Sequence, residues 1–204
     1  MDIKQDILIK GAMQLFKNLG IKSVSMDDIA RELKISKKTL YIYFKNKTDL
    51  IANILLYIND SELEYFNSNY NLNIKNAIDE LLYVSKWVGE NFRNLKPAHI
   101  YDLKKYYSET FEAFWEIKQK RIFEFIKSNL KRGIEEGIYR AEMKIEIIAA
   151  LYASNLENYN SFNNRYLGEY GFDDIFKISF ENHLRIICNE KGLHYYNEIK
   201  NEFY

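Results

Sequence analysis

Apolar positions recur along this chain at helical spacing. Ile7, Leu8, Ala12, Leu15, Phe16 and Leu19 predict one face of a first helix, with Asp2 as its cap, Gln5 one turn in, and Gly20 as a left-handed stop. Met26, Ile29, Ala30 and Leu33 fall at i, i+3, i+4, i+7 and predict a short second helix. Leu40 and Phe44 share the buried side of a third, from about Lys37 to Phe44. Leu50, Ile51, Ile54, Leu55 and Ile58 stripe a long linking helix from Lys47 to about Phe66, before a polar break at Asn67 to Asn73. Ile74, Ile78, Leu81, Leu82, Ser85 and Val88 predict a helix from Ile74 to about Phe92, with Tyr83 and Trp87 as a second i, i+4 pair. Pro97 starts the next, to about Tyr107, and Thr110 caps a long helix to Glu136 with Phe111, Phe114, Trp115, Ile122, Phe125 and Leu130 inward.

Gly137 ends that helix, and Gly137 to Arg140 is a short link. Met143 to about Asn160 carries Ile147, Ala150, Leu151 and Ser154, and its small residues Ala149, Ala150, Ala153 and Ser154 allow close helix approach. After a loop at Gly168 to Gly171, Phe172 to about Asn189 holds Ile175, Phe176, Phe180, His183, Leu184 and Ile187. A last amphipathic piece after Gly192 shows Leu193, Tyr196, Ile199 and Phe203. The sequence has no alternating strand pattern and no internal repeat, and its eight glycines and single proline leave few breakers. The predicted fold class is all-α, with nine or ten helices.

The stretch from Ser25 to Leu50 organises the rest. Ser25 precedes Asp28 by three residues, a near capping box; Ser36 is a second N-cap, and Asn46 with Asp49 a third. Three caps so close together specify short helices at fixed spacing, the layout of a helix-turn-helix. On its second helix Lys38 and Ile42 point away from Leu40 and Phe44, flanked by Lys37 and Tyr41 on one side and Thr39 and Tyr43 on the other. Basic groups and tyrosine tips suit phosphate and sugar, and the first residues of a recognition helix, here Lys37, Lys38 and Thr39, reach base edges.

Thr39-Leu40-Tyr41-x-Tyr43-Phe44-x-x-Lys47-x-x-Leu50, preceded by the Ile29-Ala30 helix, resembles the DNA-binding domain of TetR-type transcriptional regulators. The motif covers the first quarter of the chain. It departs from the family at Lys38, where a small residue is common, and at Tyr43, where His is common. The resemblance implies a helix-turn-helix domain over 1–46 and a helical effector-binding and dimerisation domain over 47–204. It implies a DNA-facing set of Ser25, Ser36, Lys37, Lys38, Thr39, Tyr41, Ile42, Tyr43 and Lys47. It also implies a homodimer through residues 143–164 and 172–190, and a small apolar or aromatic effector among the middle helices. Aromatics there, Tyr83, Trp87, Tyr101, Tyr106, Phe111, Phe114 and Trp115, are the candidate ligand contacts; ordinary core packing is the alternative for each ring. The expected function is a ligand-responsive repressor of operator DNA. An architectural or partner-binding DNA-binding protein without an effector stays open.

Charge and composition refine this reading. Residues 1–50 hold ten Lys or Arg against six Asp or Glu, a net +4 in a chain whose overall charge is zero. A basic head on an acidic remainder suits a nucleic-acid module on a non-binding body. The single cysteine, Cys188, excludes an intrachain disulfide framework. No apolar run approaches a membrane span, and the first residues lack the order of a signal peptide, so a cytoplasmic protein is expected. Phosphate-loop, nucleophile-elbow and His-Glu-x-x-His patterns are missing, and no enzyme activity or cofactor is expected. His183, Cys188 and His194 do not have a standard zinc spacing, and no metal site is expected.

Overall fold

Ser25, Ser36 and Asn46 each satisfy the free amides of a helix start. Ser25 Oγ accepts from the Asp28 amide at 3.2 Å while the Asp28 carboxylate accepts from the Ser25 amide at 3.0 Å, closing a capping box. Ser36 Oγ accepts from the Thr39 amide at 3.0 Å, and Asn46 Oδ1 from the Asp49 amide at 2.9 Å. The helices they open are α2 (Met26–Glu32), α3 (Lys37–Tyr43) and α4 (Lys47–Asn69), after α1 (Ile3–Leu19). The computed structural model describes residues 3–69, 74–93, 97–159, 170 and 172–200. Its other helices are α5 (Ala77–Arg93), α6 (Pro97–Tyr106), α7 (Ser108–Glu135), α8 (Ile145–Tyr159), α9 (Phe172–Ile187) and α10 (Glu190–Ile199). The architecture is all-α, and among the described residues no helix is long and apolar enough to cross a membrane.

Residues 1–69 and 95–118 form one compact unit, and residues 70–94 and 119–204 a second. The expected boundary at 46/47 falls between α3 and α4, inside the first. Leu8, Ile9, Ala12 and Phe16 of α1, Met26, Ile29 and Ala30 of α2, Leu40 and Phe44, and Leu50, Ile51, Ile54 and Leu55 of α4 pack into its core with Phe111. Gly20 ends α1 at φ +88°, where only glycine is unstrained. Two α1 positions differ from the predicted face: Ile7 is 59% exposed and Leu19 lies outward, while Ile9 is fully buried. Leu33 and Ile58 are half-buried at the core's edge.

In the second unit Ile78, Leu81 and Leu82 of α5, Ile126 and Leu130 of α7, Ala149 of α8 and Phe180, Leu184 and Ile187 of α9 make the core. A polar cluster sits inside it. Asn129 Nδ2 donates to the Ala77 carbonyl at 2.8 Å and to Glu80 at 2.5 Å, and the Tyr139 hydroxyl donates to Asn129 Oδ1 at 3.1 Å. Glu136 accepts from the Ala77 amide at 2.8 Å. The carboxylates thus stabilise the start of α5 electrostatically as well as by hydrogen bonds. Gly137 (φ +69°) stops α7, and Tyr139 then forms an isolated antiparallel bridge with Cys188.

Several predicted boundaries move. α5 starts at Ala77, because Asn76 Oδ1 accepts from the Ile78 and Asp79 amides, which leaves Ile74 outside. α7 starts at Ser108, so Thr110 lies within it and caps nothing. α10 starts before Gly192, capped by Asn189, whose side chain accepts from the Gly192 amide at 3.0 Å. Gly192 is there for space: a Cβ would sit 2.1 Å from the Ile138 carbonyl oxygen. On α8 Ile147, Ala150, Leu151 and Ser154 face solvent, and Ala149 and Ala153 are buried instead. The cap at Asp2, the end of the polar break (70–73), most of the loop at 168–171 and Phe203 lie outside the described residues.

Candidate nucleic-acid interface

α3 is seven residues long, too short to hold itself in water, and its position comes from packing. Leu40 and Phe44 are fully buried and anchor it, while the turn from α2 is closed by the Ile35 amide donating to the Ala30 carbonyl at 3.0 Å. That turn carries Lys34 at φ +52°, a left-handed conformation that costs a side-chain-bearing residue energy. The anchoring turns the rest of α3 outward. Ile42 is 73% exposed, Tyr41 is exposed, and Lys38 is exposed with no ion-pair partner among the described residues. An isoleucine left so largely uncovered, one turn beyond Lys38 and next to Tyr41, is suited to an apolar contact such as a thymine methyl.

The remaining expected contacts are placed differently. Thr39 is half-buried, with its hydroxyl 2.8 Å from Ser36 Oγ, and Tyr43 is half-buried against the core with its ring 6.4 Å from Phe44. Ser25 and Ser36 are engaged as caps. Lys37 pairs with Asp27 of α2. Lys47 is half-buried and turned inward. Its ammonium donates to the Ile21 carbonyl and, at 3.3 Å, to the Lys22 carbonyl, near the Phe16 and Tyr107 rings. Burial lowers its pKa, with the Asp102 and Asp28 carboxylates opposing the shift. Asp27 was not among the sequence-derived candidates. Its signal lay ten residues from Lys37, across a turn whose geometry the spacing alone does not give.

The loop before α2 is held from a second direction by α6. The Lys22 amide donates to Asp102 Oδ2 at 2.9 Å, and the Lys22 ammonium donates to the Tyr106 hydroxyl at 2.8 Å. That contact raises the pKa of Lys22 and lowers that of Tyr106. Tyr106 and Tyr101, two of the candidate ligand contacts, are thus exposed with their hydroxyls accepting from Lys22 and Lys105. Phe111, Phe114 and Trp115 come together in the same unit, Phe111 in its core and stacked on Trp115 at 6.3 Å. The Trp115 indole N–H is buried without an acceptor among the described residues. Tyr83 and Trp87 are half-buried on α5, in the second unit.

His183 and Cys188 are buried on or beside α9, and His194 is exposed beside Glu198. Burial pushes the Cys188 thiol up to about 12, which keeps it protonated and inert.

Residues 8–54 match the family model for bacterial regulatory proteins of the tetR family. Over 60 residues the chain is 42% identical to the uncharacterized HTH-type transcriptional regulator YuxN of Bacillus subtilis (strain 168), a match spanning 29% of this chain and 21% of that relative's length. It is 24% identical over 148 residues to YhgD, another uncharacterized HTH-type transcriptional regulator of the same organism, covering 66% of this chain and 71% of that one. The fold is similar to that of a transcriptional regulator from Cytophaga hutchinsonii ATCC 33406, with a TM-score of 0.73 at 20% identity over 92% of this chain and 100% of that one. Residues 8–54 thus carry a head similar in sequence to the bacterial regulatory proteins of the tetR family, on a chain whose fold is similar to that of the Cytophaga hutchinsonii regulator along nearly its whole length.

Proposed function

We propose that the chain is a sequence-specific transcriptional repressor that binds operator DNA as a homodimer and is released by a small effector. The observation that carries this reading is the outward side of α3. Its inner side is fixed by Leu40 and Phe44, while Lys38, Tyr41 and Ile42 are displayed without partners among the described residues. Lys38 and Ile42 lie at base edges in the major groove, Tyr41 and Tyr43 along the sugar-phosphate backbone, and Ser25 and Ser36 offer hydroxyls to phosphate where they already cap helices. Lys47 holds the Ile21–Lys22 carbonyls and with them the loop leading into α2; reaching a phosphate requires it to leave them.

The dimer is supported by α8 and α9. Ile147 and Leu151, 57% exposed, form a stripe with Ala150 and Ser154, and Ile178 and Ile186 lie outward on α9. An apolar stripe on a helix rich in small residues is what a symmetric four-helix interface buries. Each recognition helix reads few bases, so two copies with α3 about one helical turn apart, roughly 34–40 Å, are needed for a useful operator.

Support for the effector is the Trp115 N–H, a buried donor left for a ligand oxygen beside the Phe111 and Phe114 rings. The repressor acts in the cytoplasm, where the chromosome is accessible. Selection from a random duplex library, with sedimentation equilibrium on the recovered complex, tests the reading. The expected result is an inverted repeat bound by two chains. Selection of no sequence, or tight operator binding by one chain, overturns it.

A further inference from the structure

We propose that Asp27 is a positioning residue for base readout: it holds Lys37 off the DNA backbone and directs its ammonium toward a base edge. This rests on the DNA-binding reading above. Two acidic residues open α2, and they behave differently. Asp28 belongs to the helix start, accepting from the Ser25 amide and hydroxyl and pairing with Arg31. Asp27 has no part in the cap. Its carboxylate crosses the turn to the ammonium of Lys37, the first residue of α3, and both side chains are more than half exposed. A pair so exposed adds little to stability. In water it neutralises one of the lysines that the head would otherwise present to a polyanion, and it brings a negative charge toward phosphates.

That cost has a use in recognition. Contacts to phosphate add affinity for all sequences alike, whereas contacts to base edges discriminate. A free lysine at the start of α3 reaches whichever phosphate is nearest. A lysine held by Asp27 loses that freedom, and its remaining N–H groups stay directed at the groove, where guanine O6 and N7 are the usual acceptors. Lys38, next in sequence and exposed, has no such tether among the described residues. Asp27 therefore lowers affinity for bulk DNA more than affinity for the operator.

The test uses the full chain, an operator recovered by selection, and a scrambled duplex, with dissociation constants measured by fluorescence anisotropy from 50 to 200 mM salt. Asp27→Asn frees Lys37 for one more phosphate. On the scrambled duplex its salt dependence steepens by about 0.9 in logarithmic slope, which is roughly 3.5-fold more affinity lost across that range. The operator-to-scrambled ratio falls severalfold, Asp27→Glu restores most of it, and in a Lys37→Met background Asp27→Asn leaves the ratio unchanged. A merely structural role for Asp27 would alter thermal stability and scale both affinities together. If the wild type discriminates and Asp27→Asn leaves its ratio and slope unmoved, this proposal fails alone. If the wild type discriminates no sequence, the DNA-binding reading fails and takes this one with it.

Discussion

His183 makes the second unit acid-sensitive in a way that can be calculated. It is 7% exposed on α9, its ring centroid 4.2 Å from that of Tyr152, and its Nε2 has no hydrogen-bond partner among the described residues. Burial alone lowers its pKa from 6.5 to about 4. In the unfolded chain the imidazole returns to its ordinary value, so below pH 6.5 the unfolded state binds a proton that the folded state refuses. The contribution is present in full above 6.5 and is lost as pH falls toward 4. Two and a half units amount to about 3 kcal/mol in the limit, of which about 2 kcal/mol has gone at pH 5. Denaturant unfolding of the full chain at pH 7.5, 6.5, 5.5 and 5.0, followed by far-UV circular dichroism, measures it. His183→Leu fills similar space without a titrating group. The difference between the two proteins should shift by about 2 kcal/mol in favour of the variant between pH 7.5 and 5. Parallel pH profiles for the two would refute the reasoning, because they would mean that His183 is solvated or paired when folded.

Lys47→Met keeps the apolar stem and removes both charged hydrogen bonds to the Ile21 and Lys22 carbonyls; a loss of about 2 kcal/mol in head stability is expected, read by amide exchange in α2, whereas a role confined to phosphate contact would leave stability alone and flatten the salt dependence of DNA binding. Lys34→Gly relieves the left-handed backbone at a cost in unfolded-state entropy, so the head should gain up to about 1 kcal/mol; a loss by chemical denaturation would show that the turn is not strained. If the proposed dimer forms through α8, Leu151→Glu, which places a charge on its exposed stripe, should give a monomer by sedimentation equilibrium with unchanged helicity; a variant that associates as strongly as the wild type would refute an α8 interface.

Much of the head could be read from its residues because its signals are local. A capping serine, an acid three positions on and an apolar pair four apart each act within one turn of helix, and Ser25, Asp28, Leu40 and Phe44 all serve as their spacing implies. The failures share a cause as well. Ile7, Leu8 and Ile9 are consecutive and apolar, so periodicity does not choose between Ile7 and Ile9; packing buries Ile9. Ile147 and Leu151 carry the spacing of a core face, yet they point outward, because α8 has apolar residues on more than one side and it is the side of Ala149 and Ala153 that packs inward. Gly192 suggested a helix start, but Asn189 supplies the cap and glycine is required by the nearby Ile138 carbonyl. The Asp27–Lys37 pair and the inward turn of Lys47 depend on tertiary geometry, and nothing in the one-dimensional pattern encodes them.

The central claim is that the outward side of α3 reads base sequence, and one measurement tests it most directly: genome-wide footprinting of the wild-type chain beside a variant carrying Lys38→Ala and Ile42→Ala. Leu40 and Phe44, which hold the helix, are untouched in that variant. The account predicts that the wild type occupies a small set of sites sharing an inverted repeat. The variant should stay folded and lose or redistribute those sites, with each lost base contact costing about 1–3 kcal/mol of discrimination. Identical site sets for the two proteins, at similar occupancy, would contradict the account, because recognition would then lie outside α3.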